Sequence, residues 1–166
     1  MNGISKSAGF TLVELLITVA ILAIVVALAA PSFNDSIQRN QRIACANGLV
    51  GVLQLARSEA VRVAAPITVT ATAPSGIAGG VTVYRDLDGG SDVDPDEVIR
   101  RTSSCNGPSV SVASGSIDFS YLPDGQTSLP DLLEIEICEN STSGETGRKL
   151  SVLSTGVLKS TPLTCS

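Results

Sequence analysis

A chain with no histidine lacks the commonest general base and the commonest metal ligand. Any chemistry must come from its carboxylates, hydroxyls, thiols and amines. The densest group of these is DLDGGSDVDPDE, residues 86–97. Asp86, Asp88, Asp92, Asp94 and Glu97 stand at positions 1, 3, 7, 9 and 12 of a twelve-residue calcium-loop count. Position 6, where such a loop needs glycine for its sharp turn, holds Ser91. Position 5 holds Gly90, which brings no side-chain oxygen. The expectation is a solvated acidic turn with no metal and no other cofactor, and the calcium set is the alternative. Ser58 beside Glu59, and Thr155 near Lys159, offer hydroxyls without a matching acid–base partner, so an enzyme is not expected.

The thiols are Cys45, Cys105, Cys138 and Cys165, and none forms a CxxC pair. That argues against a zinc site or a thioredoxin-type motif. Four cysteines allow up to two disulfides in an oxidising compartment, by three connectivities among which spacing does not choose. The net charge is −5, with a sequence pI near 4.6, which argues against a strongly basic nucleic-acid surface. Aromatic residues are 3% and tryptophan is absent, so the core must rest on Val, Ile, Leu and Ala. At 166 residues the chain suits one domain with an N-terminal appendage.

One further carboxylate is out of place. Glu14 lies inside GFTLVELLITVAILAIVVALAAPSF, residues 9–33, which is otherwise apolar or uncharged. Residues 10–30 as a helix would span roughly 30 Å, enough to cross a bilayer core. Lys6 ahead of the run would stay cytoplasmic, placing everything after Pro31 outside. A secretory signal peptide accounts for the run, with Ala27-Leu28-Ala29 as its cleavage site, and so does a plain anchor. Neither accounts for the acid, which costs about 2.5–3.5 kcal/mol at a membrane centre.

The elements that carry these groups follow from periodicity. After Pro31 the helix continues and becomes amphipathic. Ala44 or Cys45, Leu49, Val52, Leu53, Ala56, Ala60 and Val63 recur on one face, while Arg39, Arg42, Arg57, Glu59 and Arg62 fall largely on the other. Pro66 ends it. Beyond it the period drops to two, with strands expected at 67–72, 81–84, 98–101, 109–113, 117–122, 132–138 and 149–154. Clusters such as Gly79-Gly80, Gly89-Gly90 and Pro123-Asp124-Gly125 separate them. The fold class is α+β: a long N-terminal helix packed on an antiparallel sheet.

The stretch Gly9-Phe10-Thr11-Leu12-Val13-Glu14 resembles the class III signal of type IV pilins and type II secretion pseudopilins. The stretches LQLARSEAVRV (53–63), VYRDLDGG (83–90), IDFSYLPDG (117–125) and GRKLSVLSTG (147–156) resemble the GspH/FimT family of minor pseudopilins and minor pilins. The resemblance implies a type IV pilin-like fold and four regions: a leader at 1–9, a transmembrane half-helix at 10–31, an amphipathic half at 32–65, and a β-rich periplasmic head at 66–166. It implies cleavage between Gly9 and Phe10 by a prepilin peptidase, N-methylation of Phe10, and a pair between Glu14 and the terminal amine of a neighbouring subunit. Pro31 matches the proline that loosens or kinks the family's helix. The implied partners are other pilins or pseudopilins, the prepilin peptidase and an inner-membrane assembly platform. The implied role is a structural subunit that primes a filament from the bacterial inner membrane and sits at its tip.

Related heads tie down their C-terminal segment, which implies Cys138–Cys165 and leaves Cys45 with Cys105. The alternative function within the family is DNA uptake, for which FimT-type members carry a Gly-Arg-x-Arg motif. The corresponding Gly156-Val157-Leu158-Lys159 retains one cation, to which Arg148 and Lys149 add two. Affinity for DNA scales with phosphates neutralised, so nucleic acid is not the expected partner.

Overall fold

The computed structural model describes residues 10–72, 76–90, 93–105, 107–139, 144 and 146–165. It divides into two compact units, Met1–Ile37 and Gln38–Ser166. A single helix, α1 (Leu12–Val63), contributes to both. It continues through position 31, and the side chain of Pro31 lies outside those described. Its C-terminus comes before Pro66. Ala64 turns into the left-handed region at φ 51°, and the Ala65 N–H reaches back to the Ala60 carbonyl at 3.3 Å. This is a Schellman-type cap, normally closed by glycine.

In the second unit α1 buries Cys45, Ala46, Leu49, Val52, Leu53, Ala56 and Ala60. Of the two expected alternatives Cys45 faces the core, while Ala44 is exposed. Arg42 departs from the expected solvent face: it is buried, because it lies three and four residues before Cys45 and Ala46 on the same stripe. Its long aliphatic stem suits that place.

Among the described residues eight strands follow, in two sheets rather than one. The first sheet holds β1 (Ile67–Ala71), β2 (Val81–Tyr84), β3 (Val98–Arg101) and β5 (Phe119–Tyr121), in the order β3-β2-β1-β5. The second holds β4 (Pro108–Ser114), β6 (Leu133–Glu139), β7 (Thr146–Val152) and β8 (Leu158–Thr164), in the order β4-β6-β7-β8. Every pairing is antiparallel. Alternation sets the buried faces: Leu133 and Ile135 of β6 oppose Val152 and Leu150 of β7, and Ile137 is buried beside them. They join Val69, Val83, Phe119 and Tyr121 of the first sheet and the α1 stripe in one core. Each fully buried Leu or Ile contributes about 1.5–3 kcal/mol. Phe119 and Tyr121 meet edge to face, with ring centroids 5.4 Å apart.

Candidate functional site

The first unit opens on a helix cap that sequence reasoning missed. The Thr11 hydroxyl accepts the Glu14 N–H at 3.2 Å, and the Thr11 carbonyl accepts the Leu15 N–H at 3.2 Å. Thr-x-x-Glu ahead of an apolar run is the capping-box spacing, a signal present in the sequence. Only the backbone of Glu14 takes part. Its carboxylate is exposed and has no hydrogen bond or ion pair among the described residues. In the first turn it also faces the positive end of the helix dipole, worth about 0.3–1 kcal/mol.

Around that acid the helix is apolar on every side and uncovered. Phe10 is 79% exposed and Leu28 77%, and the Leu, Ile and Val side chains between them are exposed too. A helix hydrophobic all round needs burial that this chain does not supply. Among the described residues no helix is long and apolar enough to cross a membrane. The described side chains of the run stop at Leu28, short of the expected end at 30. Gly9 lies outside the described residues.

The head is stapled twice. Cys45 of α1 bonds Cys105 after β3, with Cα atoms 5.4 Å apart. Cys138 of β6 bonds Cys165 after β8, at 6.0 Å. The second bridge passes over β7 at Gly147, where an added Cβ would lie 2.5 Å from the Cys165 sulfur and 3.1 Å from that of Cys138. Glycine there is what gives the bridge room.

In the acidic loop, the structure brings Asp86, Asp88 and Glu97 together, with carboxylate oxygens within 4.8 Å of one another. All three serve the loop's own backbone. Asp86 accepts the Gly89 N–H at 2.6 Å and Asp88 the Gly90 N–H at 2.7 Å. Glu97, only 4% exposed, accepts Leu87 N–H at 2.7 Å and Asp94 N–H at 3.4 Å on its two oxygens. Asp94 is not part of the carboxylate group, and Asp92 lies outside the described residues. These bonds account for the cluster as a self-closing turn.

The cations named for DNA are divided. Strand alternation puts Arg148 on the face opposite Lys149, while Lys159 shares the Lys149 face. Arg148 donates to the Ser160 hydroxyl at 3.0 Å. Lys149 sits between Glu134 at 3.1 Å and Glu136 at 3.4 Å, and the Glu134 bond holds its ammonium above the usual lysine range. Ser58 donates to the Leu55 carbonyl at 2.9 Å, and Glu59 accepts from Arg62 at 2.9 Å, so neither is poised as nucleophile or base.

Three of the quoted motifs meet at one point. Arg57 Nε donates to the Gly125 carbonyl at 3.0 Å. The β7–β8 turn packs on that same carbonyl through Gly156, at φ 76°, and Thr127 N–H donates to the Ser154 carbonyl at 2.8 Å. The motifs thus tie α1, the β5 exit loop and the second sheet together. Tyr121 beneath them is 1% exposed, and its burial pushes the phenol up to about 12 against the weaker pull of Arg57.

An uncovered apolar helix carrying one free acid, followed by a doubly bridged two-sheet head, defines a subunit of the pilin type. Comparison with known proteins agrees. The profile described as "Type II transport protein GspH" matches residues 46–156, and that of the prokaryotic N-terminal methylation motif matches residues 4–30. The crystal structure of the type IV minor pilin FimU of Pseudomonas aeruginosa is 25% identical, with a TM-score of 0.63 over 77% of this chain and 97% of that one. The minor pseudopilin EpsH from the type 2 secretion system of Vibrio cholerae, 15% identical, shares the fold with a TM-score of 0.55, over 75% of this chain and 97% of that one. No curated protein sequence matches. The chain belongs to the GspH family and has the type IV pilin-like fold.

Proposed function

We propose that the chain is a membrane-anchored minor pilin or pseudopilin with a structural role. It is cut after Gly9, methylated on Phe10 and inserted through residues 10–31 with its head in the periplasm. From there it joins other pilin-like subunits on an inner-membrane platform and primes a filament at its tip. The observation that carries this reading is the free Glu14 carboxylate on an otherwise apolar helix. An acid in lipid stays costly until a partner arrives, so pairing with a neighbour's terminal amine makes assembly selective. The methylation-motif match over residues 4–30 supports this reading, in which the cut after Gly9 frees that amine on Phe10.

The test is intact-mass spectrometry of membrane-extracted protein together with sheared-filament blots. The expected mature chain starts at N-methyl-Phe10, and Glu14→Ala inserts normally yet is depleted from filaments. A mature chain starting at Ala30 means an ordinary secretory signal and overturns the reading. Wild-type incorporation of Glu14→Ala removes the role given to that residue.

A further inference from the structure

Within the second unit a cleft of about 620 Å³ runs between α1 and the edge strand β3. Its floor is Asn47, Gly48, Gly51 and Leu55, and its far wall is Arg100 and Arg101. It continues past Gly48 into a smaller hollow of about 220 Å³ that reaches Gln41. Residues 41–55 of a helix cover about 21 Å, between three and four turns.

Three observations suggest what fills it. First, Gly48 and Gly51 sit inside a helix, where glycine destabilises relative to alanine, yet an added Cβ at either meets nothing within 4 Å. No contact among the described residues requires a glycine at either place, whereas a second backbone approaching from outside would. Second, Arg100 and Arg101 are exposed and make no ion pair or hydrogen bond among the described residues, in a chain of net charge −5. Two open guanidiniums on a strand edge call for carboxylates. Third, a second copy has the wrong charge. Between positions 38 and 63 its α1 carries Arg39, Arg42, Arg57 and Arg62 against Glu59 alone, and Glu59 already pairs with Arg62.

We infer that this cleft docks an acidic helix of a different pilin-like subunit, laid along Gly48 and Gly51 with its carboxylates on Arg100 and Arg101. The inference rests on the subunit reading above and adds the face and the charge of the partner.

A photo-crosslinking residue in place of Asn47, exposed at the cleft floor, in the full chain and in filament-assembling cells, tests it, with the same residue in place of Lys159 as control. The expected Asn47 product, mapped by mass spectrometry, is a helix of another pilin-like subunit within one turn of an Asp or Glu. The Lys159 control lacks that product. Arg100→Glu with Arg101→Glu lowers it about tenfold or more while thermal melting is unchanged. Gly51→Leu, which has room to fold, also lowers it. Crosslinks to a second copy, to lipid or to DNA overturn the inference, as does a product indifferent to charge reversal. If filaments contain the chain but the Asn47 position gives no product, the cleft assignment fails and the subunit reading stands. If sheared filaments lack the chain, both fail.

Discussion

Gly156→Ala tests whether the meeting point of Arg57, Gly125 and Gly156 holds the head together. An added Cβ would lie 1.9 Å from the Gly125 carbonyl oxygen and 3.1 Å from Arg57 Nε. Both the loop and the turn would have to separate by more than about 1 Å to restore ordinary contact. The φ of 76° adds about 1 kcal/mol of its own for a residue with a Cβ. Separation breaks the charge-assisted Arg57–Gly125 bond, about 1.5–3 kcal/mol, and the Thr127–Ser154 bond, about 1 kcal/mol. The expected loss is about 3–5 kcal/mol, or a fall in Tm of roughly 10 °C or more for a head of this size. Thermal unfolding of the detergent-solubilised full chain, followed by circular dichroism, reads it. Gly51→Ala, where the added methyl meets open space, should move the other way by about 0.5–1 kcal/mol. A Gly156→Ala protein that melts within about 2 °C of the parent would refute the assignment.

Other substitutions probe the remaining parts of the head. Gly147→Ala should either displace the Cys138–Cys165 bridge, worth about 3.5 kcal/mol for a separation of 27 residues, or strain β6 by about 1–3 kcal/mol. Non-reducing peptide mapping distinguishes the two. Glu97→Ala should cost about 2–3 kcal/mol in urea unfolding, because it strands the Leu87 and Asp94 N–H groups. Millimolar calcium should leave the melting curve of the parent protein unmoved. The Tyr121 phenol, raised in the fold from about 10 to about 12, favours the neutral form. Its contribution is therefore complete below pH 10 and is lost as pH rises through 12, a fall of about 2–3 kcal/mol seen in urea midpoints.

The long helix was legible because its apolar stripe repeats over many turns, and Glu14 because a charge inside an apolar run stands out at once. β8 was not expected. Its residues are mostly exposed and it contains Pro162, so it lacks the alternation that marks a half-buried strand. As an edge strand it needs its N–H groups on one side only, which leaves a proline tolerable. The split into two sheets was equally hidden, since alternation says which face of a strand is buried and not which strand it joins. Arg42 misled because charge was read as exposure. The Arg57–Gly125–Gly156 contact was beyond reach for another reason: two of its members are 68 residues apart and meet through a carbonyl that every residue possesses.

The two disulfides also decide how the head behaves under mechanical load. A subunit gripped at its helix and pulled from its C-terminal end transmits tension along the shortest covalent route. That route enters at Cys45, jumps to Cys105, follows the chain to Cys138 and jumps to Cys165. The bypassed segments, spanning separations of 60 and 27 residues, carry no tension and cannot unravel. Only the strands between Cys105 and Cys138 can pay out, at about 3.4 Å per residue. The extensible length of the head is thus set by where its cysteines fall.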